Sequence, residues 1–492
     1  MTSLKIMLPF CGYLGFLSLV SYYGYTETKT EADFLVAGRT VGRFLGAGTL
    51  LASQISASTV VGAVGIHYVF GIGFAWVWAG ILVGWLISLR FVAPQIREFG
   101  GMTIPDFVGS RYADDGANGD YARALSALLI VGAFMIFLTG QYTAGSLIVQ
   151  ELFGVSERVG IALTASIAVA YTTIGGMRAS VLTDFVQAVV LVGGMAIAVP
   201  LALAEVGGLN ALTTQLRATD PSLLGQALPL PQITGFVLAS VFGVAVAPMI
   251  VARFYSMRDE SVVKSAIHLS LGAQAVIAVA VVILGLSARV LFPDLAVPDM
   301  AAIVLSQEVF GPVLGTVFVL ALLSAILSTI DSVLLVASAG IAHDFYVKLI
   351  RRDAPERRKM WVNRGAVLAV GLVPGVLTFY NELFGGLITL ITLLNLSLQG
   401  AMLFVPLFFG LHWRRATTAG GIGSMVAGFA TVILWYVGTE LLGIVPQAIA
   451  GPVGDPVVPG VLVSLVAMVA LSLVTGEPSA ASTNPFFSEE EP

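Results

Sequence analysis

The chain is 492 residues long, 57% hydrophobic and only 11% charged. Apolar runs long enough to cross a bilayer as helices recur from end to end, the pattern of an all-α polytopic membrane protein. The net charge of -5 comes without a basic stripe that would track phosphates, which excludes nucleic acid as a partner. The single cysteine, Cys11, excludes a disulfide framework or a cysteine metal cluster, and four scattered histidines argue against haem.

With a window of about 19 residues, thirteen spans are predicted, at 6–25, 44–69, 72–96, 123–152, 159–175, 179–204, 233–255, 266–291, 312–342, 362–380, 384–411, 417–441 and 457–475. The first begins after Lys5 and is not followed by a small-residue cleavage site before Tyr22-Tyr23, so it reads as a retained span rather than a signal peptide. An odd number of spans puts the termini on opposite sides. With the N-terminus outside and the C-terminus inside, 20 of the 24 Lys and Arg residues face the cytoplasm, and only Lys5, Arg158, Arg217 and Arg289 do not. The stretch 476–492 ends Glu489-Glu490-Glu491-Pro492 and reads as a disordered, solvated acidic tail behind one transmembrane domain, 1–475.

Two spans are irregular. In the second, Leu50-Leu51-Ala52-Ser53-Gln54-Ile55-Ser56-Ala57-Ser58-Thr59 places small and hydroxyl residues at almost every position. In the seventh, Phe242-Gly243-Val244-Ala245-Val246-Ala247-Pro248 brings a glycine and a proline to mid-span. Both patterns fit close packing through small residues. They also fit helices that unwind to expose carbonyls to a cation and half-helix N-termini to a solute. Each irregular span opens a five-span unit, about 44–204 and about 233–411, and since five is odd the second unit is inverted relative to the first; spans 12 and 13, 417–475, lie outside this repeat.

The ninth span carries Ser324-Ala325-Ile326-Leu327-Ser328-Thr329-Ile330-Asp331-Ser332, a hydroxyl-rich run ending in a carboxylate. Such groups are costly in hydrocarbon, so an intramembrane run of them implies ion binding. Counting inwards from Arg43 puts Ala52 and Ile55 roughly 14 to 18 Å deep, and counting back from His343 puts Ser328 roughly 22 Å deep. Ala325, Ser328, Thr329 and Ser332 follow i, i+3, i+4, i+7 spacing and share one helical face. A cation near the midplane would therefore bridge spans 2 and 9. Oxygen-only, mostly neutral donors suit a hard monovalent ion rather than zinc or copper, and sodium is the natural candidate.

The stretch Tyr171-Thr172-Thr173-Ile174-Gly175-Gly176-Met177-Arg178-Ala179-Ser180-Val181-Leu182-Thr183-Asp184-Phe185-Val186-Gln187 resembles the signature of the sodium:solute symporters. Gln54-Ile55-Ser56-Ala57-Ser58, Thr103-Ile104-Pro105-Asp106-Phe107 with Arg111-Tyr112, and Ser324 through Leu334 resemble three further pieces of that family, so the likeness covers nearly the whole chain. The resemblance implies the leucine-transporter-type 5+5 inverted-repeat fold with a broken first helix in each repeat. It also implies a sodium site made by the carbonyls of Ala52, Ile55 and Ala325 and the hydroxyls of Ser328 and Thr329. Asp184 matches a residue on the family's sodium exit route, used by some members in a second sodium site; otherwise it pairs with a loop Arg. Asp331 sets sodium affinity, binds a proton, or pairs with an inner base. His67 reads as an interfacial residue, and Glu151, Glu205 and Glu382 as solvated span ends.

Candidate solute contacts are Ser56, Ser58, Thr59, Gln141, Met249 and Gln399. Ala247-Pro248-Met249 lacks the amide, acid, Lys and Tyr groups of the sugar-transporting members, which disfavours sugar. Arg253-Phe254 and Ala288-Arg289-Val290-Leu291-Phe292-Pro293-Asp294-Leu295 look closer to the pantothenate and proline branches. The expected function is sodium-coupled import of a small carboxylate, such as proline, pantothenate or a monocarboxylate, across the plasma membrane, with the bilayer, the solute and sodium as partners and no organic cofactor. Oligomeric state is left open. A membrane enzyme would need clustered acids, a His-Asp pair or a metal motif at one face, and none occurs. A proton-coupled carrier or sensor on the same scaffold is the alternative, with Asp184 or Asp331 titrating; other solutes, sugar included, stay beside it.

Overall fold

The structure, a computed structural model, describes residues 4–113, 117–378 and 388–487. Among them every regular element is helical, and the one β feature is a bridge between Val41 and Met257. The first half comprises α1 (Leu4–Glu27), α2 (Glu31–Val36), α3 (Arg43–Gln54), α4 (Ala63–Phe70), α5 (Trp76–Ile87), α6 (Ala93–Phe99), α7 (Ile104–Arg111), α8 (Ala117–Phe153) and α9 (Glu157–Val206). Then come α10 (Leu209–Thr219), α11 (Leu230–Ala245), α12 (Pro248–Ser256), α13 (Glu260–Leu291), α14 (Ala301–Glu308) and α15 (Gly311–Ala339), which widens into π turns over Gly340–Ile350. The chain closes with α16 (Glu356–Leu377), α17 (Ile388–Gln399), α18 (Val405–His412), α19 (Thr418–Tyr436), α20 (Gln447–Val453), α21 (Val457–Val474) and α22 (Ala480–Thr483).

Ten stretches of the described residues are long and apolar enough to cross a membrane. Two of them, Ser58–Phe99 and Glu157–Val206, each run through parts of two spans read from the sequence. In the longer one, Gly176 takes φ 60°, ψ -164°, which divides α9 into two limbs at the Gly-Gly pair. A side chain there would also meet Phe34 of α2, since a Cβ would stand 2.7 Å from Phe34 Cδ2. Both the positive φ and the close approach select glycine.

Both irregular spans are broken helices. After Gln54 the backbone leaves the helix at Ile55, with φ -87° and ψ 103°. The Ser56 N–H donates to the Thr59 hydroxyl at 3.3 Å, while the Ser56 carbonyl accepts the N–H groups of Thr59 and Val60. Hydroxyls that bond nearby backbone thus offer an alternative to the helical ladder, and a new helix starts one turn later through Ser58–Gly62. In the other span, α11 stops at Ala245, and α12 opens with Pro248, a residue whose missing N–H costs nothing in a first turn.

The broken helices sit against long continuous ones. α3 and α15 both pack on α9, α11 on α5 and α17, and α1 covers α9 from outside this group. α19 and α21 form a pair of their own at the periphery. The stretch read as a disordered tail forms a short helix, Ala480–Thr483, and is partly packed. Phe486 lies 5.3 Å from the rings of both Phe99 and Phe107, and Ser482 and Thr483 are buried. Aromatic residues inside an otherwise polar terminus supply the apolar area that the composition argument overlooked. Glu489, Glu490 and Glu491 lie outside the described residues, as does Glu382.

Candidate functional site

Five oxygens from α3 and α15 converge where α3 ends. Ser328 Oγ lies 3.1 Å from the carbonyls of both Ala52 and Ala325. Thr329 Oγ1 lies 3.3 Å from Ala52 O and 3.1 Å from both Ile55 O and Ala325 O. Two hydroxyl protons thus face five contacts of hydrogen-bonding length, leaving lone pair against lone pair in the remainder. An electron-rich cluster of neutral oxygens suits a hard cation. All five residues named from the sequence are therefore brought together, and each is buried. The break after Gln54 makes this possible, because it frees carbonyls that an intact helix would engage.

One turn further along α15, Ser332 Oγ bonds Ser53 Oγ at 2.9 Å and receives Arg253 Nη2 at 2.7 Å. Arg253 on α12 is fully buried. It also donates to Thr49 Oγ1 on α3 at 2.9 Å, and to Ser180 Oγ and Asp184 Oδ2 on α9 at 2.8 and 3.2 Å. Thr49 in turn donates to Asp184 Oδ2 at 2.5 Å. Arg253, at the end of its span in the sequence, is the hub that ties α12 and α3, one half of each broken helix, to α9 and α15. Asp184 does meet an arginine, but one buried in a helix. The carboxylate of Asp331 stands next to Ser180 and Thr172, yet neither of its oxygens closes a hydrogen bond.

Beside the oxygen cluster lies a cavity of about 50 Å³. Ser56, Ser58, Thr59 and Met249 line it, as expected. Gln141 stands behind the wall, accepting the Ala57 N–H at 3.0 Å, and Gln399 is buried away from the cavity lining. The sequence reading missed Gln54, Thr392 and Asn395, whose Gln54 Oε1, Thr392 Oγ1 and both Asn395 amide atoms lack partners. Asn395 carried a usable signal, being an amide inside an apolar span. Phe74, Trp78 and Phe137 supply the apolar wall. No charged side chain is among the lining residues.

His67 is fully buried among the helices. Its Nδ1 lies 2.8 Å from Gly71 O, and its Nε2 accepts the Trp78 indole N–H at 3.2 Å, which fixes the neutral tautomer and aims Trp78 at the cavity. The turn at Gly71 that supplies the carbonyl folds α4 back towards α5, a contact that helical periodicity does not reveal. Glu151 and Glu205 are exposed, as read from the sequence.

A second group unforeseen from sequence lies at the end of the bundle that carries the basic loops. His343 bridges Glu31 Oε1 and Asp106 Oδ2, each at 3.1 Å, and Asp344 accepts from Thr103 at 2.8 Å. Arg123, Lys348 and Lys359 approach the same acids within 3.6 to 3.9 Å. Burial would raise the Asp106 carboxyl, but the hydrogen bond and charge of His343, with Lys348, hold it well below the usual carboxylate range. So many bases make this an ionic knot joining α2, α7, α8, α16 and the end of α15.

A membrane bundle with two broken helices, an oxygen cluster at one break and a small uncharged cavity beside it defines a carrier of ions and solutes. The sequence profile of the sodium:solute symporter family matches residues 34–428, and the chain belongs to that family. It is accordingly a multi-pass membrane transporter and not an enzyme. The chain is 27% identical over 484 residues to the high-affinity proline transporter PutP of Bacillus subtilis (strain 168), covering 95% of this chain and 98% of that one. It is 28% identical over 492 residues to sodium/proline symporter 2 of Staphylococcus saprophyticus, covering 96% and 93%. Among solved structures it superposes with a TM-score of 0.80 and 17% identity on a substrate-bound, outward-open Na+-coupled sialic acid symporter, covering 97% of this chain and 99% of that one. It matches the transporter MhsT in complex with L-phenylalanine at a TM-score of 0.52 and 14% identity, covering 88% and 99%. These likenesses show a shared fold.

Proposed function

We propose that this chain is a plasma-membrane symporter that couples inward movement of sodium to uptake of a small carboxylate-bearing solute of proline size. The observation that carries the reading is the cluster of Ala52, Ile55 and Ala325 carbonyls with the Ser328 and Thr329 hydroxyls, where two protons face five contacts. Sodium bound there joins α3 to α15 and holds the break in α3 open to the neighbouring cavity. The cavity's uncharged lining suits a compact solute such as proline or a short monocarboxylate, for which its volume of about 50 Å³ would have to widen. The solute carboxylate would be met by hydroxyls, amides and the positive N-terminal end of α12 rather than by an arginine.

The working architecture is thirteen spans in one transmembrane domain, N-terminus outside and C-terminus inside, with spans 2–6 and 7–11 as inverted repeats. Alternating access then frees the inner half of α3 from Arg253 and Ser332 once both solute and sodium are bound. Asp184 and Asp331 would lie on the sodium exit route. The driving force suffices: one charge moving through 100 mV is worth about 2.3 kcal/mol and a tenfold sodium gradient about 1.4 kcal/mol, together several-hundred-fold accumulation.

A proton-coupled carrier is the second reading, favoured by the unbonded carboxylate of Asp331. Uptake of labelled proline, acetate, pantothenate and glucose into proteoliposomes separates the two. Accumulation of one carboxylate under an inward sodium gradient, abolished in Thr329→Ala, is the expected result; accumulation driven by a pH gradient and indifferent to sodium would overturn the sodium reading.

A further inference from the structure

A second cavity, of about 370 Å³, lies outside the central one. It opens between the start of α11, the start of α17, the end of α19 and the segment from Gln447 to Pro456. The far ends of these helices lead to Arg253, Arg258, Arg414 and Arg415, so the cavity faces the side opposite the basic loops. Its volume falls within the range that holds small ligands.

The lining is chemically one-sided. Glu440 and Asp455 both line it, whereas Lys, Arg and His are absent from the described lining residues. Trp435, Tyr436 and Phe236 supply aromatic surface. Asp455 is only 4% exposed and is built in place. Its Oδ1 accepts from Ser397 Oγ and from the Val457 N–H, each at 2.8 Å. Gly454 at φ 77° makes the turn that presents it, and Gly235 of α11 lies so close that a Cβ there would stand 2.4 Å from Asp455 Cβ. Burial pushes the Asp455 carboxyl up to about 6, against the bonds from Val457 and Ser397, so the ionised form is short of compensating positive charge. No salt bridge reaches it or Glu440 among the described residues.

We infer that this cavity is an outward-facing binding site for a compact organic ammonium ion. A buried carboxylate beside aromatic rings matches a charge wrapped in methyl or methylene groups, since such a cation is attracted to ring faces and is only weakly hydrated. A bare metal ion is better held by three or more convergent acidic or histidine ligands, and no such group lies in this lining among the described residues. The site stands in series with the central cavity, because Leu393 lines both. Ser397, which holds Asp455, is on α17, the helix that presents Thr392 and Asn395 to the central cavity. A cation bound outside therefore touches the wall of the transport path without occupying the sodium cluster.

The test is calorimetric titration of the full-length protein in lipid nanodiscs with choline chloride, and separately with its uncharged isostere 3,3-dimethylbutan-1-ol. Choline is expected to bind one per chain and at least about tenfold more tightly than the isostere, the ratio that a single net charge–charge contact supports. Asp455→Asn should weaken choline about tenfold or more. Glu440→Gln and Trp435→Leu, neither of which disturbs the Ser397 contact, should each weaken it several-fold, and they carry the test if the Asp455 variant misfolds. Thr329→Ala should leave choline binding unchanged even where it abolishes sodium-driven uptake. Equal affinity for choline and isostere, binding untouched by Glu440→Gln and Trp435→Leu, or no choline binding at all would overturn the inference.

Discussion

At the scale of single residues, the oxygens of Ser328 and Thr329 work as a pair because three carbonyls share their two protons. Replacing Thr329 by Ala removes one donor that touches three carbonyls, and it is expected to abolish sodium-driven accumulation, a loss of at least about tenfold. Thr329→Ser should restore most of the loss; equal defects in both would show that the methyl group, not the oxygen, matters. Arg253 poses a different question, since its charge is buried against Asp184 with neither side chain exposed. Arg253→Gln should cost roughly 3 to 5 kcal/mol of stability by leaving a carboxylate uncompensated. Adding Asp184→Asn should recover part of that loss, read as thermal unfolding in detergent. A double variant as unstable as the sum of the two singles would mean that the pair does not interact. The oxygen cluster was legible because helical spacing and family resemblance both marked it. The Arg253 hub was not, since nothing local distinguishes an arginine at a span end from one turned into the bundle.

Elements add constraints that no single side chain carries. Gly176 divides α9 with a positive φ and lies against Phe34. Gly176→Ala should destabilise by about 1 to 3 kcal/mol, and adding Phe34→Ala should relieve only the steric share, because the backbone conformation stays unfavourable. Full rescue by that second change would rule out the conformational contribution. Asp299 before α14 is nearly buried, with Oδ2 receiving the Ile388 N–H at 3.2 Å and Gly65 of α4 packed over it. Burial, only partly offset by that bond, pushes its carboxyl up from 3.8 to about 6. A raised folded-state value means that the stability linked to this group is fully present below about 3.8 and is lost as pH rises through about 6. The advantage of Asp299→Asn over the parent in thermal stability should therefore grow between about pH 4 and pH 7. A pH-independent difference would count against the assignment. Helix breaks were readable from hydroxyl, glycine and proline placement, whereas the contact of the turn before α14 with α4 and α17 joins segments far apart in sequence.

For the molecule as a whole, orientation is the property that most needs a direct reading. In a Cys11→Ser background, Leu442→Cys and Lys264→Cys place a thiol at exposed positions on opposite ends of the bundle. A membrane-impermeant maleimide added to intact cells should label Leu442→Cys and spare Lys264→Cys until the membrane is opened; the reverse pattern would invert the topology. The packed segment around Phe486 belongs to this scale too, since it clamps α6 and α7 from a distance of several hundred residues along the chain.

By itself the sequence determined that this is a polytopic helical membrane protein of the symporter class, where two helices break, and which five residues offer oxygens at the first break. Those properties are local, set by hydrophobic length, by residues that compete with or interrupt the helical ladder, and by a recognisable motif. Only the tertiary structure decided that Arg253 rather than a loop base meets Asp184, that Asn395 and Gln54 turn unbonded amide atoms into or beside the central cavity, that His67 aims Trp78, and that Asp455 stands in a second cavity with no base among its described lining residues. Each of these depends on contacts between helices remote in sequence, where burial and charge are shared among several elements, so no periodicity along one segment carries them.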